Sequence, residues 1–208
     1  PYKQVLSHGF TLDGNGNKMS KSLGNTLDPL KVVNNQGADI LRLLIASVDY
    51  TEDIKFGNEL MDQVKESYRK IRNTYRFILG NLFDYEEKNK IPFNDMLEYD
   101  QYMMIKLNET VKEIKKAYNN YEFQEVYKIV NNYINFTLSN FYLDFTKDIL
   151  YIENADSLKR RSVQTVLYEN IKSLITLLAP ILPYTSEEVY KLLKLDKESV
   201  HLENNPEI

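Results

Sequence analysis

Apolar positions in this chain recur mostly at steps of three and four, so the predicted elements are long amphipathic helices. The longest spans Asn58 to Asp84, roughly 40 Å at ~1.5 Å per residue. Leu60, Val64, Tyr68, Ile71, Tyr75, Ile78 and Leu82 form its packing seam. Glu86 to Asn94 is charged, contains Pro92 and reads as a linker. Tyr99 to Tyr118 packs through Met103, Leu107, Val111, Ile114 and Tyr118, and Asn119-Asn120 turns the chain. The next helix, Glu122 to about Ile149, is expected to bury Phe123, Val126, Val130, Ile134, Leu138, Phe141, Phe145 and Ile149. Ser157 to Leu178 buries Val163, Leu167, Ile171, Leu174 and Leu178 before Pro180 and Pro183 break it. Thr185-Ser186-Glu187-Glu188 reads as a capping box opening a last helix to about Leu193. Ser199 to Leu202 fits a short strand or an extended tail. Antiparallel helices on short turns predict a bundle.

The first fifty residues follow another pattern. Tyr2 to Leu6 has the content of a short strand ending at Ser7-His8-Gly9. Asp28 and Pro29 fit the N-cap and first residue of a helix over Leu30 to about Asn35, stopped by Gly37. A second helix from Ala38 is expected to bury Ile40, Leu41, Leu44, Ile45 and Val48. Arg42, on its polar side, is placed to pair with Asp39 or to reach RNA. Between strand and helix runs Gly14-Asn15-Gly16-Asn17-Lys18-Met19-Ser20-Lys21-Ser22-Leu23-Gly24-Asn25. Its two lysines, two serines and bracketing glycines suit polyphosphate, because ammonium groups, hydroxyls and free amides can all meet phosphate oxygens. The same composition also makes an ordinary solvated turn.

Composition narrows the chemistry. Of 208 residues none is Cys, which excludes disulfides and thiolate zinc sites. No apolar run approaches membrane-spanning length, and no signal peptide opens the sequence, which points to the cytoplasm. A net charge of −4 argues against coating nucleic acid by bulk attraction, so any RNA contact needs local basic patches. Arg69, Arg72 and Arg76 share one side of the long helix and make the best such stripe, either a solvated face or a row of phosphate contacts. His8 has no second ligand or carboxylate cluster nearby, and a structural role is expected.

Lys18-Met19-Ser20-Lys21-Ser22, followed by Leu23-Gly24-Asn25 and Asp28-Pro29-Leu30, resembles the second signature motif of class I aminoacyl-tRNA synthetases. The resemblance extends through Gly37-Ala38-Asp39-Ile40-Leu41-Arg42, Ala46-Ser47-Val48-Asp49-Tyr50, Tyr68-Arg69-Lys70-Ile71-Arg72-Asn73-Thr74 and Phe77-Ile78-Leu79-Gly80-Asn81-Leu82 to Leu178-Ala179-Pro180-Ile181-Leu182-Pro183. These strings favour the isoleucine branch over its valine, leucine and methionine relatives. Leu44 and Tyr190 stand where that family often carries tryptophan.

The resemblance implies a mainly α fold, with the end of a Rossmann-type catalytic domain over 1–51 and a connecting helix and linker over 52–95. A helical anticodon-binding domain over 96–208 follows. It implies ATP-dependent activation of isoleucine and its attachment to tRNA(Ile), with Mg2+ accompanying ATP and no metal site in this stretch. Lys21 is implied to contact the nucleotide and Lys18 to be an auxiliary cation. Met19, Ser20, Ser22 and backbone amides are implied to complete the phosphate cradle, and Arg69, Arg72 and Arg76 to face tRNA. The family's histidine motif, amino-acid pocket and editing domain are not found in these residues, so the chain alone is expected to form no isoleucyl-adenylate. A stand-alone helical RNA-binding or scaffolding protein, or a valine-specific ligase, is the alternative.

Overall fold

The computed structural model describes residues 2–207 and shows a mainly α chain built around one helix. That helix, α7 (Leu158–Leu178), is buried on nearly all sides. Val163, Val166, Leu167, Ile171, Leu174 and Ile175 have no measurable exposure. Around it pack α3 (Asn58–Asn81), α4 (Glu98–Asn119), α6 (Asp144–Ile152) and α8 (Pro183–Leu193), while α5 (Phe123–Asn132) packs on α4. A helix so enclosed must find partners for nearly all the polar side chains it carries inward, and only Arg161 Nε among its described side-chain atoms is buried without one. Ser162 donates to the buried Asp100, which also accepts from Tyr142. The Tyr133 hydroxyl donates to Asn170. At the N-terminal end the Arg160 guanidinium grips both carboxylate oxygens of Asp84, at 2.6 and 2.9 Å, and Gln164 donates to the same carboxylate at 2.8 Å.

The long helix forms with its expected seam, Val64, Ile71, Tyr75 and Ile78 being buried, and it ends at Asn81. Asp84, expected inside it, is drawn off the helix axis to Arg160. The linker is more ordered than its charge suggests. It holds two 3-10 turns, Glu87–Asn89 and Phe93–Asp95, and the Ile91 amide donates to Thr165 at 3.1 Å.

Between α5 and α6 the helix continues without interruption, but Tyr133–Leu143 is π-helical. This overturns part of the expected core. Phe141 and Phe145 are 46 and 54 % exposed, while Tyr142, Thr146 and Leu150 are buried in their place. The buried positions Val126, Val130, Ile134, Leu138, Tyr142, Thr146 and Leu150 advance by four residues at every step. At 3.6 residues per turn each such step overshoots by about 40°, so an α-helix would carry the row off the core. The wider π turn cancels that drift. The displaced phenylalanines pack edge-on against Tyr102 and Tyr99 of α4 instead.

The front of the chain also departs from expectation. Tyr2 to Leu6 forms no strand, and Tyr2 and Val5 are largely exposed. The strand is β1 (Thr11–Asp13), paired in parallel with β2 (Ile54–Phe56) in the register Thr11 to Ile54. Pairing needs a neighbouring backbone as well as strand-forming side chains, and the neighbour is reached only past Gly9. The Gly9 amide donates to Tyr50 at 2.9 Å, and a Cβ at Gly9 would lie 2.2 Å from the Glu52 carbonyl oxygen.

Helices α1 (Pro29–Gln36) and α2 (Ala38–Ala46) follow, with Asp28 accepting from the Leu30 amide as expected of an N-cap. In α2 the buried face is Ile40, Leu43, Leu44 and Ala46, and Ile45 is 48 % exposed. Arg42 does not pair with Asp39, because both reach the α7–α8 corner. Asp39 accepts from the amides of Tyr184 and Thr185 there, so α8 starts at Pro183 under a cap supplied by another helix. The expected capping box at Thr185 does not form. The last residues make a 3-10 turn, Val200–Leu202, neither strand nor open tail.

Candidate functional site

The lysine loop leaves β1 at Asp13, and that residue organises it. The Asp13 carboxylate accepts from the amides of Asn15 (3.0 Å) and Asn17 (2.8 Å) and from the Asn25 side chain (2.9 Å). These donors, Asn25 foremost, hold the Asp13 carboxyl below the usual carboxylate range. Asn25 in turn accepts from the Ser20 amide at 2.9 Å and donates to the Lys18 carbonyl at 3.3 Å. Gly24, at φ +66°, turns the chain back toward α1 in a conformation that L side chains rarely adopt. Asn25 lies in the stretch that the sequence marks and Asp13 just outside it, but their partnership is visible only once the loop is closed.

Within this frame the predicted residues separate. The Lys18 ammonium lies 5.3 Å from the centroid of the Phe10 ring, and its backbone bridges Leu12. Met19 turns inward, its sulfur accepting from the Leu27 amide at 3.4 Å. Ser20 and Ser22 hydroxyls face each other at 3.2 Å, and Ser20 Oγ also accepts from Leu23. The Lys21 side chain is exposed and makes no ion pair or hydrogen bond among the described residues, its backbone carbonyl accepting from the Gly24 amide at 3.3 Å. The loop therefore presents one uncommitted cation beside two hydroxyls at its tip. Such a group can neutralise charge on an arriving phosphate without first breaking a bond.

The basic stripe on α3 is largely committed. Arg69 is gripped by Glu66 at 2.7 and 2.9 Å, and Arg72 lies 3.8 Å from Glu188. Arg76 has no such partner among the described residues. One turn away, between α3 and the π-helical segment, lies a cavity of about 320 Å³ bordered by Lys70, Asn73, Asn135, Phe136 and Asn140. Phe136 is 65 % exposed at its mouth. Three carboxamides, an ammonium and an open aromatic face can together take a planar, hydrogen-bonding group. The sequence signal was present, since Phe136 is an aromatic residue off the four-residue row of core positions, but it reads as such only when that row is known.

A larger cavity, about 740 Å³, separates α2 and β2 from the α4–α5 turn. Leu41, Ile45, Tyr118 and Phe123 make it apolar, and His8 borders it with Nδ1 2.8 Å from the Gly9 carbonyl oxygen. It brings no reacting groups together. Among the described residues no cluster of His, Asp or Glu is placed to hold a metal ion, and no helix is long and apolar enough to cross a membrane.

Comparison with known proteins matches two separate stretches of the chain. Residues 1–57 match the tRNA synthetases class I (I, L, M and V), and residues 100–208 match the anticodon-binding domain of tRNA ligase. The chain is 54 % identical to the isoleucine–tRNA ligases of Bacillus subtilis (strain 168) and Geobacillus kaustophilus (strain HTA426), over its whole length in each case. It spans 23 % of the length of either. Its fold is similar to that of LeuRS from Agrobacterium radiobacter K84 in a ternary complex with tRNA and LeuAMS. There the TM-score is 0.75 at 22 % identity, over 96 % of this chain and 23 % of that one.

Proposed function

The chain belongs to the class I tRNA synthetases of the I, L, M and V group, its helical part being an anticodon-binding domain of tRNA ligase, and on that premise we propose its role. It is the stretch of an isoleucine–tRNA ligase that supplies the ATP loop and the surface for the anticodon arm of tRNA(Ile), working in the cytoplasm. Residues 1–51 close the catalytic domain, 52–95 connect, and 96–208 carry the RNA. The observation that carries this reading is Lys21, exposed and unpaired at the tip of a loop whose base is closed by Asp13 and Asn25.

In the activation step the isoleucine carboxylate attacks the α-phosphorus of ATP, and pyrophosphate leaves carrying the displaced charge. Lys21 neutralises that charge as it develops, which stabilises the transition state more than the ground state. Ser20, Ser22 and the amides of Lys21 and Ser22 offer further donors. Lys18, already stacked on Phe10, contributes field more than contact. Mg2+ would arrive with the nucleotide, and among the described residues no cluster of His, Asp or Glu is placed to hold it.

On the bundle, Arg76 and Lys70 meet phosphate while Phe136 and the surrounding asparagines hold an unstacked base. Titration of the chain with isoleucine tRNA, valine tRNA and an anticodon-swapped isoleucine tRNA, at two salt concentrations, tests this. Binding that prefers isoleucine tRNA, weakens with salt and is lost on the swap is expected. Equal binding to all three removes the anticodon-reading role from this bundle.

A further inference from the structure

Helix α2 sits between the two legs of the lysine loop. One leg returns from the loop through α1, which joins α2 across the single residue Gly37. The other leg, β1, is paired with β2, which follows α2, and is pinned beside it by the bond from the Gly9 amide to Tyr50. Whatever fixes α2 against the bundle therefore fixes both legs of the loop.

Two residues one turn apart on α2 make the polar part of that attachment. Arg42 Nη2 donates to the Pro180 carbonyl at 2.7 Å, and Nε donates to the Ile181 carbonyl at 3.2 Å. Asp39, itself buried, accepts from the Thr185 amide and hydroxyl at 2.7 and 2.6 Å and from the Tyr184 amide at 3.3 Å. The cation thus meets the carbonyls that follow α7, and the carboxylate meets the first amides of α8. Each charge faces the helix end of opposite partial charge. The arrangement reaches α3 as well. Thr185 gives its hydroxyl proton to Asp39, so the Tyr68 hydroxyl, 2.9 Å away, must donate to Thr185.

Such a pair discriminates registers in a way that apolar packing does not. A small rotation of α2 would leave a guanidinium, a buried carboxylate and two amides unpartnered together. We propose that Asp39 and Arg42 are positioning residues for the nucleotide, a polar latch that sets where the lysine loop stands relative to the RNA-binding bundle. They touch neither ATP nor RNA. The proposal rests on the reading of the loop as an ATP loop.

The test uses the intact ligase that contains this segment, with pyrophosphate exchange measured against ATP and against isoleucine. Arg42→Ala and Asp39→Ala are each expected to raise KM for ATP about five- to tenfold while KM for isoleucine stays put, and the double variant should be no worse than either alone. Arg42→Lys should recover much of the loss, since an ammonium can still reach one carbonyl. A merely structural role would move both KM values, or neither, with only the melting temperature changing, and that result overturns the latch. Should the alanine variants fail to fold, Thr185→Val removes the two hydroxyl bonds from the bundle side and is read the same way. If the unsubstituted ligase shows no isoleucine-dependent exchange, the nucleotide reading itself fails. The latch is then judged by tryptic cleavage after Lys21 in this chain, expected several-fold faster in Arg42→Ala and overturned by an unchanged rate.

Discussion

The side-chain amide of Asn25 donates to the Asp13 carboxylate at 2.9 Å across twelve residues, and this bond joins the two legs of the lysine loop at their base. Asn25 also accepts from the Ser20 amide, so one side chain ties the stem to the tip. Asn25→Ala removes these bonds without touching the core. At about 1 kcal/mol for each of two bonds, local opening should become at least tenfold more frequent. Tryptic cleavage after Lys18 and Lys21 should accelerate accordingly while the melting temperature of the chain holds. An unchanged cleavage rate would show that the loop is held elsewhere.

The two lysines are not equivalent in this geometry. Lys21 is free at the tip, whereas Lys18 is stacked on Phe10. In the intact ligase, Lys21→Ala should lower the rate of isoleucine-dependent pyrophosphate exchange by roughly a hundredfold, the size expected for one oriented transition-state donor. Lys18→Ala should cost clearly less. Equal losses would mean that Lys18 leaves Phe10 to reach the nucleotide.

Two carboxyls, half-buried Asp84 and buried Asp100, give the stability of the bundle opposite slopes with pH. Arg160 holds the Asp84 carboxyl down at about 2, against 3.8 for an unperturbed side chain. A depressed carboxyl stabilises the fold above its unfolded value and loses that contribution as pH falls toward about 2. Asp84→Asn should therefore lower the melting temperature at neutral pH, and its gap from the unsubstituted chain should close between pH 4 and 2.

Asp100 has the opposite sign. Burial pushes its carboxyl up, against the bonds from Ser162 and Tyr142. Its proton-linked stabilisation is complete below 3.8 and is lost as pH rises through the raised value. Relative to Asp100→Asn, the unsubstituted chain should lose stability as pH climbs from 3.8, and urea midpoints across that range would show it. Asp100→Ala strands two buried hydroxyls and should cost about 2–4 kcal/mol at low pH, the gap narrowing as pH rises.

The helices were legible because periodicity is a local property. Val64, Ile71 and Ile78 lie on one face whatever else the chain does. What sequence could not show were features set by partners far along the chain. Asp39 caps α8 across 146 residues and thereby displaces the capping box that Thr185 would otherwise begin. The π-helical stretch is a compromise between two packing surfaces, so an α-helical count after Leu138 selects Phe141 in place of Tyr142. In the loop, residue types marked two lysines and two serines alike, only the resemblance set Lys21 apart from Lys18, and the Asp13–Asn25 closure depends on a turn that no local pattern announces.

Phe136 is the residue most sharply separated by that packing compromise. It is 65 % exposed within a helix whose neighbours Ile134 and Leu138 are buried, and it stands at the mouth of the cavity beside Asn73 and Lys70. Against an unstacked base the same ring is worth about 1–3 kcal/mol. Phe136→Ala should therefore leave thermal stability within a degree or two, since mostly exposed surface is removed, and weaken tRNA binding by about tenfold with an unchanged salt slope. Arg76→Ala should weaken binding less and reduce the slope by close to one counterion. Opposite results, a shallower slope from Phe136→Ala or undiminished affinity in both variants, would move the RNA off this face of the bundle.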